Sequence, residues 1–340
     1  MRYTSVDLCA GCGGLTRGME LAGFNTRVAV EIDADAVLTY KMNHKKTEVI
    51  QDDIRLIKAR EIKARLNGKQ LHLLAGCPPC QGFSSVRKLN RKQNIRDTRN
   101  NLILEYLRFV KGLKPLTIMM ENVPGLMQYY LFKKLLRELK RLGYQIEAKI
   151  VNAKDYGVPQ RRKRLVLVGS LLGEIRVAKG TNNRVTVRDA IGSLESVQRT
   201  KDPMHRVVTE HDDRIRKLIK MIPKNGGSRG DLNEIYTLSC HKKKNVGFRD
   251  IYGRLPWDNC SGTITGGCLN PSKGRFLHPV KNRAITAREA ALLQSFPRKY
   301  KFPGTISKTS LALLIGNALP PKLSYAQSIN IKKHLQQHLG

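Results

Sequence analysis

The chain has 340 residues, 41% of them hydrophobic, enough for one large domain with a smaller one and a buried core. Its charge is lopsided: 62 Lys and Arg stand against 27 Asp and Glu, formally +35, an excess that folding does not need and a polyanion such as nucleic acid explains. No apolar run is long enough to span a bilayer, and the start MRYTSVDLCAG lacks the basic and apolar regions of a secretory signal. Seven cysteines are an odd number for a disulfide framework, so a cytoplasmic protein with no membrane contact is expected.

Along the chain, short apolar runs alternate with helical patterns, the sign of βαβ units around a mostly parallel sheet. Strands are predicted at Tyr3–Leu8, Arg27–Glu31, Leu71–Leu74, Thr117–Met120, Ile146–Asn152 and Arg164–Val168. Helices are predicted at Leu15–Leu21, Ala36–Met42, Leu102–Lys111 and Tyr130–Leu142. From about Glu195 to Asn270 the periodicity fades into charge clusters and Gly-rich turns, as in a loop-rich domain of short strands. It returns at Thr286–Gln294, where Thr286 and Glu289 form a capping-box start, and at Leu311–Ile315. The expected organisation is an α/β domain over residues 1–190, a smaller irregular, strand-rich domain over 191–275, and a segment, 276–340, that returns to complete the first.

The loop Asp7-Leu8-Cys9-Ala10-Gly11-Cys12-Gly13-Gly14 follows the first strand and opens the first helix, a place where glycines let backbone approach a cofactor. Glu31 ends the second strand, placed for ribose hydroxyls, and Asp53 lies where a third strand edge would sit, suited to an adenine amino group. No Walker-type Lys follows, which argues against a triphosphate; a nucleoside cofactor or a nicotinamide dinucleotide fits loop and acids alike. In Gly76-Cys77-Pro78-Pro79-Cys80-Gln81-Gly82-Phe83-Ser84, two prolines fix the backbone ahead of Cys80, and the basic stretch behind it suits a thiolate nucleophile. Cys9-x-x-Cys12 and Cys77-x-x-Cys80 have zinc-site spacing, but they lie in a Gly-rich turn and a proline turn, so no metal is expected.

With Glu121-Asn122-Val123-Pro124-Gly125, Gln160-Arg161-Arg162-Lys163-Arg164 and Gly316-Asn317-Ala318-Leu319-Pro320-Pro321, these motifs occur in the order of the cytosine-5 DNA methyltransferases, and the chain resembles that family from Asp7 to Pro321. The resemblance implies a Rossmann-like S-adenosylmethionine-dependent domain with an inserted target-recognition domain. It also implies a site-specific enzyme that methylates C5 of a flipped-out cytosine through a covalent adduct of Cys80 with C6. By resemblance Glu121 meets N3 and the amino group, Arg162 the base oxygen, and Arg164 completes the catalytic set. Asp7, Ala10, Gly11, Gly13, Glu31, Asp53, Pro79 and Asn317 line the cofactor. Gln81, Ser84, Arg96, Arg99, Asn122 and Gln160 meet the substrate. The family usually has Phe where Cys9 stands, which puts cofactor affinity in question.

The basic loop from Ser85 to Asn101 is expected to fold over double-stranded DNA. Arg229, His241, Lys242, Arg249, Arg254 and Asn259 are available to read base edges, and Thr263-Ile264-Thr265 resembles an element of such domains. Alternative readings are a tRNA methyltransferase of the same family, though its Cys-Phe-Thr signature is not found in the middle segment, and a non-catalytic DNA-binding protein. No chromatin-reading module precedes Asp7. A monomeric modification enzyme, paired in function with a restriction endonuclease, is therefore expected.

Overall fold

The computed structural model describes residues 3–79, 101–181, 183–232 and 250–340. Packing divides the chain into two units. The first holds Met1–Tyr156, Lys163–Asn182 and Ala318–Gly340; the second holds Gly157–Arg162 and Asn183–Asn317. This division differs from the 1–190, 191–275 and 276–340 expected from sequence. Residues 276–317 pack with the second unit, and so does the short piece Gly157–Arg162, where Arg161 N–H donates to Ser261 O and Ser261 N–H donates to Pro159 O.

The first unit is built on a seven-stranded sheet of order β3-β2-β1-β4-β5-β7-β6. Its strands are β1 (Thr4–Leu8), β2 (Asn25–Glu31), β3 (Glu48–Gln51), β4 (Leu73–Gly76), β5 (Thr117–Asn122), β6 (Gln145–Asn152) and β7 (Lys163–Ser170). The first five pair in parallel, and β7 is antiparallel to both β5 and β6. The central strands read as continuous apolar runs because both faces are covered; β1 and β4 are buried at every position. The parallel connections are helical: α1 (Gly14–Leu21), α2 (Ala34–Asn43), α3 (Ala59–Arg65), α4 (Leu102–Leu113) and α5 (Tyr130–Arg141).

Helices α3, α4 and α5 pack side by side and bury Ile62, Tyr106, Phe109, Phe132, Leu135 and Leu139 in the main core with Val6, Leu8, Leu74 and Met120. Helix α1 packs instead on the C-terminal helix, Pro321–Leu339. The approach is too close for a side chain at Gly18, where a Cβ would stand 2.3 Å from Cβ of Ser324; the Ser324 hydroxyl donates to Leu15 O at 2.6 Å. Strand order reverses between β1 and β4, the crevice at which open α/β sheets bind ligands beyond the carboxyl ends of their strands.

Most predicted elements of this unit lie within two residues of those observed. Three were not foreseen: β3, whose residues are all at least half-exposed, α3, which buries only Ile62, and the C-terminal helix Pro321–Leu339, whose buried face includes Ser324, Gln327, Ser328 and His334. None carries enough apolar periodicity to register.

In the second unit, the described residues hold α6 (Val187–Ile191), α7 (Pro203–Arg206), α8 (Asp213–Met221), α9 (Ala287–Leu293) and α10 (Lys308–Asn317). The short strands expected over 195–270 are not found among the described residues, which form short helices, turns and isolated bridges such as Arg254 with Leu277. The physical reason is local capping. Thr186, Asp202 and Asp212 each accept a backbone N–H in the first turn of α6, α7 and α8, and so start helices where the sequence shows only polar clusters. Thr286 and Glu289 cap α9 reciprocally, as the sequence indicates.

Candidate active site

The loop after β1 forms the floor of the crevice. Ala10 N–H donates to Val30 O at 3.0 Å, tying the loop to β2, and Gly13 caps α1 with φ 90°, a left-handed conformation that glycine takes without cost. Cys9 takes φ 57° as well, which sets it apart from an ordinary strand residue.

Asp7 is fully buried. Its Oδ2 accepts from the Thr16 hydroxyl at 2.6 Å, and that hydroxyl lies 2.7 Å from the Tyr40 hydroxyl. Its Oδ1 is buried with no partner among the described residues. Burial pushes the carboxyl up to about 7, with Glu31's charge adding and Thr16's hydrogen bond opposing.

Glu31 closes the second side. Its Oε2 accepts Gly11 N–H at 2.7 Å, and its Oε1 accepts Ile32 and Asp33 N–H, both at 2.9 Å. Burial raises its pKa and those backbone donors oppose the rise. Asp53 lies past β3, where Arg55 Nε sits 3.0 Å from both carboxylate oxygens and holds the carboxyl below its usual range.

The orphaned Asp7 oxygen, the space open around Gly11 and the backbone-braced Glu31 fit S-adenosylmethionine, whose amino group and ribose need such acceptors. Burial pushes the Cys12 thiol up to about 12 and also raises those of Cys9 and Cys77.

Across the crevice, Cys77 N–H donates to Leu8 O at 3.1 Å, which starts the proline turn directly beside the β1 loop. Asn122, proposed from sequence to meet the substrate, is buried and donates from Nδ2 to Pro78 O at 2.8 Å, while its Oδ1 accepts Val123 N–H at 2.8 Å. Its side chain braces the turn that leads to position 80. Cys80, Gln81, Ser84, Arg96 and Arg99 lie outside the described residues, as do His241, Lys242 and Arg249.

Glu121, at the end of β5, is buried and accepts from Arg164 Nε at 2.8 Å. The Cys77 thiol also hydrogen-bonds to this carboxylate. Burial lowers the Arg164 pKa while Glu121's charge opposes that shift, so the pair sits as a compensated charge at the sheet edge.

Arg162 belongs to the second unit, where Nη1 donates to Ile264 O and Nη2 to Gly316 O, both at 2.8 Å. Gln160, fully buried, donates from Nε2 to Gln294 Oε1 at 2.7 Å and accepts Ile264 N–H at 2.8 Å. Gln294 in turn donates to Ile315 O at 2.7 Å.

Arg254, a candidate base reader, is wholly buried and donates to the carbonyls of Ile219, Ile222, His278 and Lys281. Asn259 and Asn317 are exposed in the same unit, and Arg229 is half-exposed. Thr16, Tyr40 and Gln294 were not singled out from sequence as site residues. Only their partners, and no motif in this one chain, reveal them.

The family model for C-5 cytosine-specific DNA methylase matches residues 3–333. The chain belongs to that family. Methylases of this family take the methyl group from S-adenosylmethionine, and the chain is a DNA (cytosine-5)-methyltransferase. It is 36% identical to Type II methylase M.HgiDII of Herpetosiphon aurantiacus over 97% of this chain and 95% of that one. It is 33% identical to Type II methyltransferase M1.HphI of Haemophilus parahaemolyticus over 96% of this chain and 86% of that one. Among solved structures, a prophage-encoded protein of E. coli described as a DNA modification methyltransferase superposes with a TM-score of 0.76 at 25% identity. That match covers 98% of this chain and 99% of that chain. No helix among the described residues is long and apolar enough to cross a membrane.

Proposed function

We propose that this methyltransferase modifies a cytosine flipped out of duplex DNA by a covalent route through Cys80. The observation that supports it most is the Glu121–Arg164 pair at the end of β5, set beside the turn that Asn122 holds through Pro78.

C5 of cytosine is not nucleophilic and is stacked inside a duplex, so the base must leave the helix and be activated. The Cys80 thiolate adds to C6, and the electron pair of the C5–C6 bond becomes available at C5. Glu121 hydrogen-bonds N3 and the exocyclic amino group as charge builds on the ring. Arg164 holds the carboxylate in place and is the donor we assign to the base oxygen, because both Nη atoms of Arg162 already serve backbone carbonyls. When bound, the cofactor supplies an electrophilic methyl group to C5. The cofactor, having given up its methyl group, would leave as S-adenosylhomocysteine, and loss of the C5 proton then re-forms the double bond and expels Cys80 as thiolate.

For the cofactor itself, Asp7 Oδ1 accepts its amino group, Glu31 the ribose hydroxyls and Asp53 the adenine edge, with Ala10, Gly11, Gly13 and Pro79 shaping the loops. Asn317 is assigned to the same pocket on the resemblance alone. Gln81, Ser84, Arg96 and Arg99 are assigned to DNA, as are the exposed polar residues of the second unit, which we take as the target-recognition unit. The Type II names of the relatives support a modification enzyme; that it works as a cytoplasmic monomer alongside an endonuclease is our proposal.

Labelled S-adenosylmethionine mixed with unmethylated duplex DNA, followed by mapping of modified cytosines, tests the reading. Label at C5 within one short sequence, absent with Cys80→Ala, is expected; equal label with the variant would remove Cys80 from the mechanism.

A further inference from the structure

The outer face of α5 carries a row of cations that the reaction does not use. Lys133, Lys134, Arg137, Lys140 and Arg141 are all exposed, and Glu138 is the helix's only acid. That acid is engaged by Lys111 and Arg141, both at 2.8 Å. Lys133, Lys134, Arg137 and Lys140 have no carboxylate within ion-pair distance among the described residues.

Their spacing places them one turn apart along one side of the helix, a line of about 12 Å from Lys133 to Arg141 at the usual helical rise. The neighbouring layer adds Lys63, Lys111 and Lys114, also exposed. On the opposite face, the C-terminal helix carries only Lys322, Lys332 and Lys333 among Asp, Glu, Lys and Arg over Pro321–Leu339.

Three partners suit a basic amphipathic helix: a membrane surface, an acidic protein and nucleic acid. A membrane needs the apolar side of the helix, but Leu131, Phe132, Leu135 and Leu139 are buried in the core. A protein interface wants an apolar centre, and the exposed large apolar side chains here, Tyr130 and Leu142, stand at the two ends of the row. A phosphate backbone needs neither. Its charge density, about one phosphate per 3.4 Å of axis on each strand, matches a row of this length with three or four contacts.

We infer that the α5 face is a second DNA surface, which holds the backbone of a duplex segment outside the crevice and without regard to sequence. Helix α5 returns from the β5 edge that carries Glu121, so the row leads away from the chemistry. Such a surface keeps the enzyme on long DNA between target sites. The inference goes beyond the reaction proposed above and does not depend on its covalent step.

The test uses the full chain with Lys133→Gln, Lys134→Gln, Arg137→Gln and Lys140→Gln combined. Binding to a long duplex lacking the target sequence is measured across salt concentrations, and turnover is measured on a short duplex bearing one site. The slope of log affinity against log salt should fall by about 3, at roughly 0.9 for each phosphate no longer neutralised. Turnover on the short duplex should stay within about twofold, which also reports folding, and Lys→Arg replacements at 133, 134 and 140 should keep the full slope. An unchanged slope would overturn the inference. So would an equal loss on the short duplex, which would place the row in the catalytic groove, or a loss confined to an acidic polypeptide with the DNA slope intact.

Discussion

Two buried polar clusters in this protein differ in the groups that meet their polar atoms. In the second unit, both Nη atoms of Arg162, both amide atoms of Gln160 and the amide nitrogen of Gln294 meet protein partners. At the sheet edge of the first unit, Asp7 keeps one carboxylate oxygen buried without a partner among the described residues, and Arg164 donates from Nε to the Glu121 carboxylate as well as from Nη1 to Lys163 O. Side-chain donors spent on carbonyls and amides hold a fold together; an open cluster with a bare carboxylate oxygen is destabilising until a ligand completes it. Arg162 and Arg164 stand two residues apart in one motif, yet their acceptors divide them between these two roles.

Turnover is the sharpest probe of the open cluster. Glu121→Gln should slow methyl transfer by about 10²–10⁴-fold, the range for a group that stabilises or moves a proton in the transition state. Single-turnover methylation under saturating cofactor measures it; a loss of less than about tenfold would detach Glu121 from the chemistry.

The paired arginines test the contrast itself. Arg164→Met should cost about 10²–10³-fold in rate, as removal of a donor at developing charge does. Arg162→Met should cost mainly stability, about 1–3 kcal/mol, because it takes the donor from the Ile264 carbonyl and leaves Gly316 O only the longer bond from Gln294 Nε2 at 3.3 Å. Urea melts and rates on both variants separate the two; the reverse pattern would break the comparison.

Legibility in the sequence followed the same division. The mostly parallel sheet could be anticipated because buried parallel strands write apolar runs, and the loop after β1 and the proline turn after β4 write Gly and Pro at fixed places. The roles inside a motif were harder. Asn122, Gln160 and Arg162 are polar residues in signature positions, and the sequence does not say that their acceptors are Pro78, Gln294 and two carbonyls. Those partners lie between 44 and 154 positions away, so only the folded chain shows them. Likewise, β3 and α3 bury too little to leave a pattern, and the second unit's helices are set by capping side chains within a charged stretch.

Asp7 gives the open cluster a pH signature. Its folded pKa, about 7, lies above the ordinary carboxyl value of 3.8, so the folded state binds the extra proton. The sign follows: stability from this group is complete below about pH 4 and is lost as pH rises through 7, by a few kcal/mol at order of magnitude. The difference between wild type and Asp7→Asn melts, taken without cofactor, should therefore favour the variant increasingly from pH 4 to 7. Saturating S-adenosylmethionine should flatten that difference by setting a cation against Oδ1. A pH-independent difference would mean that Asp7 does not titrate there.

The smallest effect belongs to a cap far from either cluster's chemistry. Thr286→Ala removes the acceptor for Glu289 N–H at 3.1 Å and should cost about 1 kcal/mol of stability, read as a lowered melting temperature with unchanged turnover.

The covalent step through Cys80 is tested most directly with a duplex carrying 5-fluorocytosine at the mapped target site, since fluorine replaces the proton that must leave C5. The account predicts a protein–DNA complex that survives denaturant, forms only with S-adenosylmethionine present and is absent with Cys80→Ala. Full methylation activity on ordinary DNA with no trapped complex, or equal trapping by Cys80→Ala, would contradict it.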